Sequence, residues 1–264
     1  LGFSPLKIIT DGSKIYVSSS PGRVIIVDAS THAVTVVAVG QNLQPEHLAV
    51  VGGKIFVSNS STSTISMIDM QNNNATSSMR IVNNLSVQAI QTVGSKLYFI
   101  GLGGQNLVGV IDTANGNSTS TIAMGQTLSY SAVVGSFVYV GGTGGKVVTI
   151  NTANNSTSSI STPGFINLNG MKVYGTKIYL SLYGNRLGIL ETLNNTFSSI
   201  TLSGLTEGVL LANGKLYAAD SENNLVSIID PNTNIVSQTI ATGAFPIELF
   251  SIGTRVYVVN FDEY

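Results

Sequence analysis

Few side chains here could do chemistry. There are two histidines, thirteen acidic residues and no cysteine in 264 residues. Glu46 and His47 are adjacent, and Glu207 and Glu248 recur at matching places further along. Carboxylates converging at the mouth of a shared channel would offer hard oxygen ligands to a cation, which makes Glu46, Glu207 and Glu248 the candidate metal ligands. An imidazole site needs rings that converge, whereas His32 lies beside Asp28 at the far end of its repeat from the position of His47. Both histidines therefore read as satisfied or solvated. No Gly-x-Ser-x-Gly elbow and no phosphate-binding loop occurs, and the glycines at 101–104 and 141–145 fall between strands, where they make hairpin turns. Without cysteine there is no thiolate chemistry, iron–sulfur cluster or cysteine-based zinc site. No catalytic residue and no cofactor is assigned.

The elements that must carry these side chains repeat. A strand of the form Lys/Arg, Ile/Leu/Val, Tyr/Phe, apolar returns seven times, with aromatics at Tyr16, Phe56, Tyr98, Tyr139, Tyr179, Tyr217 and Tyr257, in steps of 40, 42, 41, 40, 38 and 40 residues. Each unit parses into four short strands. In the second, the apolar run at 48–51 turns at Gly52 and Gly53 into Lys54, Ile55, Phe56 and Val57; residues 65–69 form a third strand, and Asn72 to Asn74 turn the chain into a Ser/Thr-rich fourth. Short β-branched runs between Gly, Asn, Asp and Ser turns are antiparallel strands, and no stretch has a helical apolar period. Four strands per period of about 40 to 45 residues is a β-propeller blade. The expectation is an all-β, seven-bladed β-propeller forming one domain over 1–264, with blades at 4–40, 45–84, 86–126, 129–163, 166–204, 206–242 and a partial one at 245–264.

The repeat resembles the YVTN family of β-propeller proteins, found in surface-layer and other secreted proteins. Lys54 to Ser60 followed by Thr64 to Asp69 carries the likeness, as does Lys215 to Asp220 followed by Leu225 to Asp230, and it covers nearly the whole chain. The resemblance implies an extracellular setting and brings no common catalytic residues. Tryptophan is absent, so the chain departs from the WD-type repeat.

A second regularity concerns charge. In five units a Lys opens the second strand and an acid ends the third, so Lys14 and Asp28, Lys54 and Asp69, Lys96 and Asp112, Lys177 and Glu191, and Lys215 and Asp230 should face each other across a hairpin. In the fourth unit Phe137 and Asn151 replace both. Such pairs contribute about 0.2–1 kcal/mol at most, and each acid can equally cap its own Asx turn. In the seventh unit Arg255 has the cation position with no acid after it, because only the first two strands are present. An open blade exposes strand edges. Arg255, Tyr257 and Val259 are thus the candidate assembly residues, and strands from another protein subunit or from a further segment of the same gene product would complete the blade by β-augmentation.

Inner strands line the channel of a propeller. Their entrance positions are Leu6, Glu46, Gln88, Ser129, Asn169, Glu207 and Ile247, followed by Lys7, His47, Tyr130 and Glu248. Glu46, His47, Gln88, Tyr130, Asn169, Glu207 and Glu248 form the candidate funnel for a small ligand or glycan, with Tyr183 as a further stacking surface. Acidic pairs at Asp220 and Glu222 and at Asp262 and Glu263 read as solvated turns.

Composition sets the surroundings. Charged residues make up 9% of the chain against about 25% in ordinary soluble proteins, and 12 basic and 13 acidic groups leave a net charge of −1. Nothing there attracts nucleic acid or an anionic membrane, and no apolar run is long enough for a membrane span. Few carboxylates predict a weak dependence of stability on acid pH. Sequons at Asn59, Asn74, Asn84, Asn117, Asn154, Asn155 and Asn194 are candidate glycan sites for an archaeal or eukaryotic surface protein. The leading expectation is a non-catalytic extracellular module of a surface layer, filament or virion that assembles through its incomplete blade. The alternatives are carbohydrate or ligand recognition at the funnel and an enzyme of the lactonase- or quinoprotein-like propeller type.

Overall fold

In each repeat the second strand carries consecutive apolar residues, as at Ile55, Phe56 and Val57, so its sheet has two apolar faces to bury and must be covered on both. The computed structural model describes residues 4–41, 43–59, 62, 64–80, 86–102, 106–164, 168–182 and 184–261. Its strands are β1 (Ser4–Thr10), β2 (Lys14–Ser20), β3 (Arg23–Asp28) and β4 (Val34–Ala38); β5 (Pro45–Val51), β6 (Lys54–Asn59), β7 (Thr64–Asp69) and β8 (Ala75–Arg80); β9 (Ser86–Val93), β10 (Lys96–Leu102), β11 (Leu107–Asp112) and β12 (Ser118–Ala123). They continue as β13 (Leu128–Val134), β14 (Phe137–Gly142), β15 (Lys146–Asn151) and β16 (Thr157–Ser161); β17 (Leu168–Tyr174), β18 (Lys177–Leu182), β19 (Arg186–Glu191) and β20 (Thr196–Thr201); β21 (Thr206–Ala212), β22 (Lys215–Asp220), β23 (Leu225–Asp230) and β24 (Ile235–Ala241); and finally β25 (Pro246–Ile252) and β26 (Arg255–Asn260).

Six four-stranded antiparallel sheets, each in simple sequence order, and one two-stranded sheet result. This is the seven-bladed β-propeller fold with its seventh blade reduced to two strands. No helix occurs among the described residues, and none is long and apolar enough to cross a membrane.

The chain forms two compact units: Leu1–Val138 with Asn151–Asn155, and Tyr139–Ile150 with Ser156–Tyr264. In the first, Tyr16, Val24, Ile26 and Val37 of one sheet bury against Leu48, Ile55, Val57 and Ile68 of the next. The opposite face of that second sheet, Ala49, Phe56 and Ile65, meets Val87, Leu97, Phe99 and Ile111. In the second unit Tyr179, Leu187 and Ile189 pack on Val209, Leu216 and Ile229. Sheet-on-sheet burial of this kind is the main stabilising term, at about 25 cal/mol per Å² of apolar surface.

The turn between third and fourth strands explains the abundance of asparagine. Asn74, Asn117, Asn155, Asn195 and Asn234 all have positive φ one or two residues before the fourth strand, a conformation asparagine tolerates better than other side-chain-bearing residues. The expected charge register is present: Lys14 faces Asp28, Lys54 faces Asp69, Lys96 faces Asp112 and Lys177 faces Glu191.

The ion pair itself forms only at Lys177 and Glu191, 3.0 Å apart, among the described residues. Elsewhere the acid turns back to cap its own loop: Asp28 Oδ1 accepts from the Ser30 and Thr31 amides, Asp69 from Gln71, Asp112 from Ala114 and Asp230 from Asn232. Lys96 instead donates to the Thr152 carbonyl at 2.7 Å, and Lys177 to the Pro231 carbonyl at 2.6 Å. Each therefore stitches its sheet to the outer turn of the following one.

Candidate functional site

Five of the seven predicted funnel residues, Glu46, His47, Gln88, Asn169 and Glu207, share one backbone device. Six inner strands slip register near the start of the strand: between Pro5 and Lys7, Pro45 and Leu48, Val87 and Ala89, Leu168 and Gly170, Thr206 and Val209, and Pro246 and Glu248. The residues at the slip are Leu6, Glu46 with His47, Gln88, Asn169, Glu207 with Gly208, and Ile247. A bulge re-aims its side chain out of the strand alternation, and this is the positional reason these residues stand apart.

In the first unit, Ser18 ties neighbouring bulges together, its hydroxyl accepting from the Lys7 amide at 3.1 Å and donating to the Glu46 carbonyl at 3.2 Å. Ser58 accepts from the His47 amide in the same way. His47 is half-buried, and burial pushes its imidazole below the ordinary 6.5, aided by Lys7 and opposed by Glu46. Tyr130 is half-buried on β13. In the second unit Gly208 lets β21 and β25 approach closely, since a Cβ there would lie 2.9 Å from the Ile247 carbonyl oxygen. That places Glu207 and Glu248 on adjoining inner strands, Glu207 half-buried and Glu248 exposed. The side chains of Gln88 and Asn169, and Tyr183, Asp262 and Glu263, lie outside the described residues. No group of three or more His, Cys, Asp or Glu side chains is placed to hold a metal among the described residues. His32 is exposed in a turn with φ 59°, its amide donating to the Asp28 carbonyl.

One carboxylate escaped the sequence reading. Asp11 accepts from the Tyr16 hydroxyl at 2.6 Å, from the Ser13 hydroxyl and from the Ser13 and Lys14 amides. The Tyr16 hydroxyl, followed by the backbone and serine donors, holds Asp11 well below the usual carboxylate range, while burial pushes Tyr16 far up. A groove of ≈ 360 Å³ beside it is lined by Ile9, Asp11, Ala49 and Gln91. It sits at the end of the inner strands away from the bulges. Asp220 is likewise saturated, accepting from Ser203 and from both amide groups of Asn223.

The seventh sheet is the site where burial fails. Leu249, Val256 and Val258 pack on Ala219 and Val226 of the sixth sheet. The other face carries Phe250, Tyr257 and Val259, all exposed, with Phe250 and Tyr257 stacked. Tyr257 is 37% exposed, whereas Tyr16, Phe56, Tyr98, Tyr139 and Tyr179 at the same repeat position are buried. Tyr217 is half-buried because the two-stranded neighbour covers it incompletely. Arg255 is exposed, and its guanidinium has no hydrogen bond or ion pair among the described residues. Along β26, the edge away from β25 is unpaired among the described residues.

The first sheet has an uncovered face too, in the other unit. Ile8, Ile15, Val34 and Val36 lie on it and are exposed, Ile8 by 62%. The places of Val34 and Val36 are taken by Thr76 and Ser78 in the second sheet and by Thr119 and Thr121 in the third.

No protein-family model matches this chain, and no curated protein matches it. Solved structures do. BamB from Moraxella catarrhalis superposes with a TM-score of 0.67 at 15% identity over 95% of this chain and 77% of its own. The dihydro-heme d1 dehydrogenase NirN in complex with DHE gives 0.76 at 13% identity over 92% of this chain and 58% of its own. Kuenenia stuttgartiensis hydrazine synthase gives 0.66 at 19% identity, covering 98% and 96%. At these identities the likeness is one of fold, and the fold shared is the β-propeller.

Proposed function

We propose that this chain is a non-catalytic, extracellular β-propeller that serves as a structural or protein-interaction module of a surface layer, filament or virion and assembles through its seventh sheet. The observation that carries the reading is the state of β26: an unpaired strand edge, an exposed stacked aromatic pair and a cation without its acid. Strand addition there would satisfy backbone groups and cover Tyr257 and Val259 in one step. The added strands come from another subunit or a further segment of the same gene product.

The non-catalytic reading is supported by the use already made of the reactive groups, with Asp11 and Asp220 saturated and His32 in a turn. The extracellular reading is supported by the YVTN-like repeat and by the scarcity of charge. Light scattering of native protein, compared with a Tyr257→Lys, Val259→Lys variant, tests it: the variant should be monomeric and folded where the native protein is associated. Equal association of both would overturn the reading, and an intact mass beyond this chain would identify a further segment as the source.

A further inference from the structure

Seven sequons are not equally able to carry sugar. Asn59 is 2% exposed, and its Nδ2 donates to the Thr64 carbonyl, the Thr64 hydroxyl and the Ser66 hydroxyl. The folded sheet has no room for a sugar on it. Asn117 has its Oδ1 buried and its Nδ2 against Met67 Sδ, and Asn155 is half-buried, held by the Tyr98 hydroxyl of a neighbouring sheet. Asn84 lies outside the described residues.

Asn194 differs. It is exposed in the turn between β19 and β20, where Oδ1 accepts both the amide (3.2 Å) and the hydroxyl (2.8 Å) of Thr196, the sequon's own threonine. That fixes the carboxamide, and its Nδ2 has no partner among the described residues. Leu193 beside it is 82% exposed. A second observation adjoins the first: an open cleft of ≈ 560 Å³ between the outer strands β16 and β20, lined by Ser158, Ser159, Ser161, Pro163, Asn195 and Phe197. Hydroxyls and an amide beside an aromatic ring suit a saccharide, whose hydroxyls need partners and whose C–H face packs on a ring.

We propose that Asn194 carries an N-linked glycan whose first sugar lies in the cleft between β16 and β20 against Phe197. An oligosaccharide on a lipid pyrophosphate, delivered by an oligosaccharyltransferase during export, is the donor. Asn194 Nδ2 bonds to the anomeric carbon as that carbon's bond to the phosphate oxygen breaks; the lipid pyrophosphate leaves with the electron pair and the amide gives up one proton. No oxidant or reductant is involved. The seated sugar shields Leu193 and the outer backbone of β20.

Trypsin cutting after Arg186 and Lys215 releases residues 187–215, in which Asn194 is the sole sequon. In native protein this peptide should carry a saccharide mass localised to Asn194, absent in Asn194→Gln, with Asn59 bare. An unmodified 187–215 peptide, or a glycan on Asn59, would overturn the assignment of the acceptor. Hydrogen exchange tests the seating: amides of β16 and β20 should exchange more slowly in native protein than in Asn194→Gln, and Phe197→Ala should lose that protection while keeping the sugar mass. Equal exchange in native and Asn194→Gln protein would overturn it.

Discussion

Phe250 and Tyr257 lie face to face across the β25–β26 hairpin, ring centroids 5.2 Å apart and planes 9° from parallel. Their outer surface is exposed, although Tyr257 occupies the repeat position that five other sheets bury. A large aromatic in a fully buried site contributes by area and by packing.

Removing the ring should therefore cost about 3–5 kcal/mol at Tyr179 and below about 1 kcal/mol at Tyr257. Chemical denaturation of Tyr179→Ala and Tyr257→Ala in isolated protein measures both. Similar losses would mean that the seventh sheet is covered after all.

Lys177 serves two partners, Glu191 across its hairpin and the Pro231 carbonyl of the following sheet. The ion pair is partly exposed, so a double-mutant cycle of Lys177→Met and Glu191→Gln should give a coupling of about 0.2–1 kcal/mol. Lys177→Met should be the more destabilising single change, because it also strands a carbonyl. Equal single effects would remove the stitching role.

His47 makes stability pH-dependent in a definite direction. Its folded pKa lies below the unfolded value, so the unfolded chain takes up a proton first as pH falls. The contribution is fully present above about pH 6.5 and is lost as pH drops through the folded value. Asp11, depressed in the fold, adds a loss that begins only below about pH 4. Melting temperature should thus fall in two stages on acidification, and His47→Asn should flatten the upper one. A variant with an unchanged profile would sink the assignment.

Gly22 has φ 50°, donates its amide to the Leu43 carbonyl and accepts from the Val39 amide. A Cβ there would overlap the Gly40 carbonyl oxygen. Gly22→Ala should cost well over 1 kcal/mol and more than Gly12→Ala, where φ 91° strains an alanine but its Cβ would meet nothing. Thermal unfolding compares the two.

Much of the architecture was legible in the residues. The spacing from Tyr16 to Tyr257 locates every second strand, and the Lys14 and Asp28 spacing predicts their register, because antiparallel hairpins of fixed length place residues opposite each other by counting. The same counting left open what those charges do. Asp28 reaches Ser30 and Thr31 in its own turn more easily than a lysine across the hairpin, a choice of rotamer and local geometry that no spacing reveals.

Asp11 shows the limit most clearly. It sits in an ordinary polar turn by sequence, and only the packing of Tyr16 behind it makes it the acceptor of a phenol proton. The sequons divide for the same reason: Asn59 and Asn194 carry one signal, but Asn59 falls at the buried end of β6 and Asn194 in an open turn. Periodicity is a property of consecutive residues, so the chain by itself determined the strands, their order and the two-stranded form of the last sheet. Which faces are covered, which carboxylates are occupied and which amides stay open depend on residues tens of positions apart being brought into contact, and those were decided by the tertiary structure.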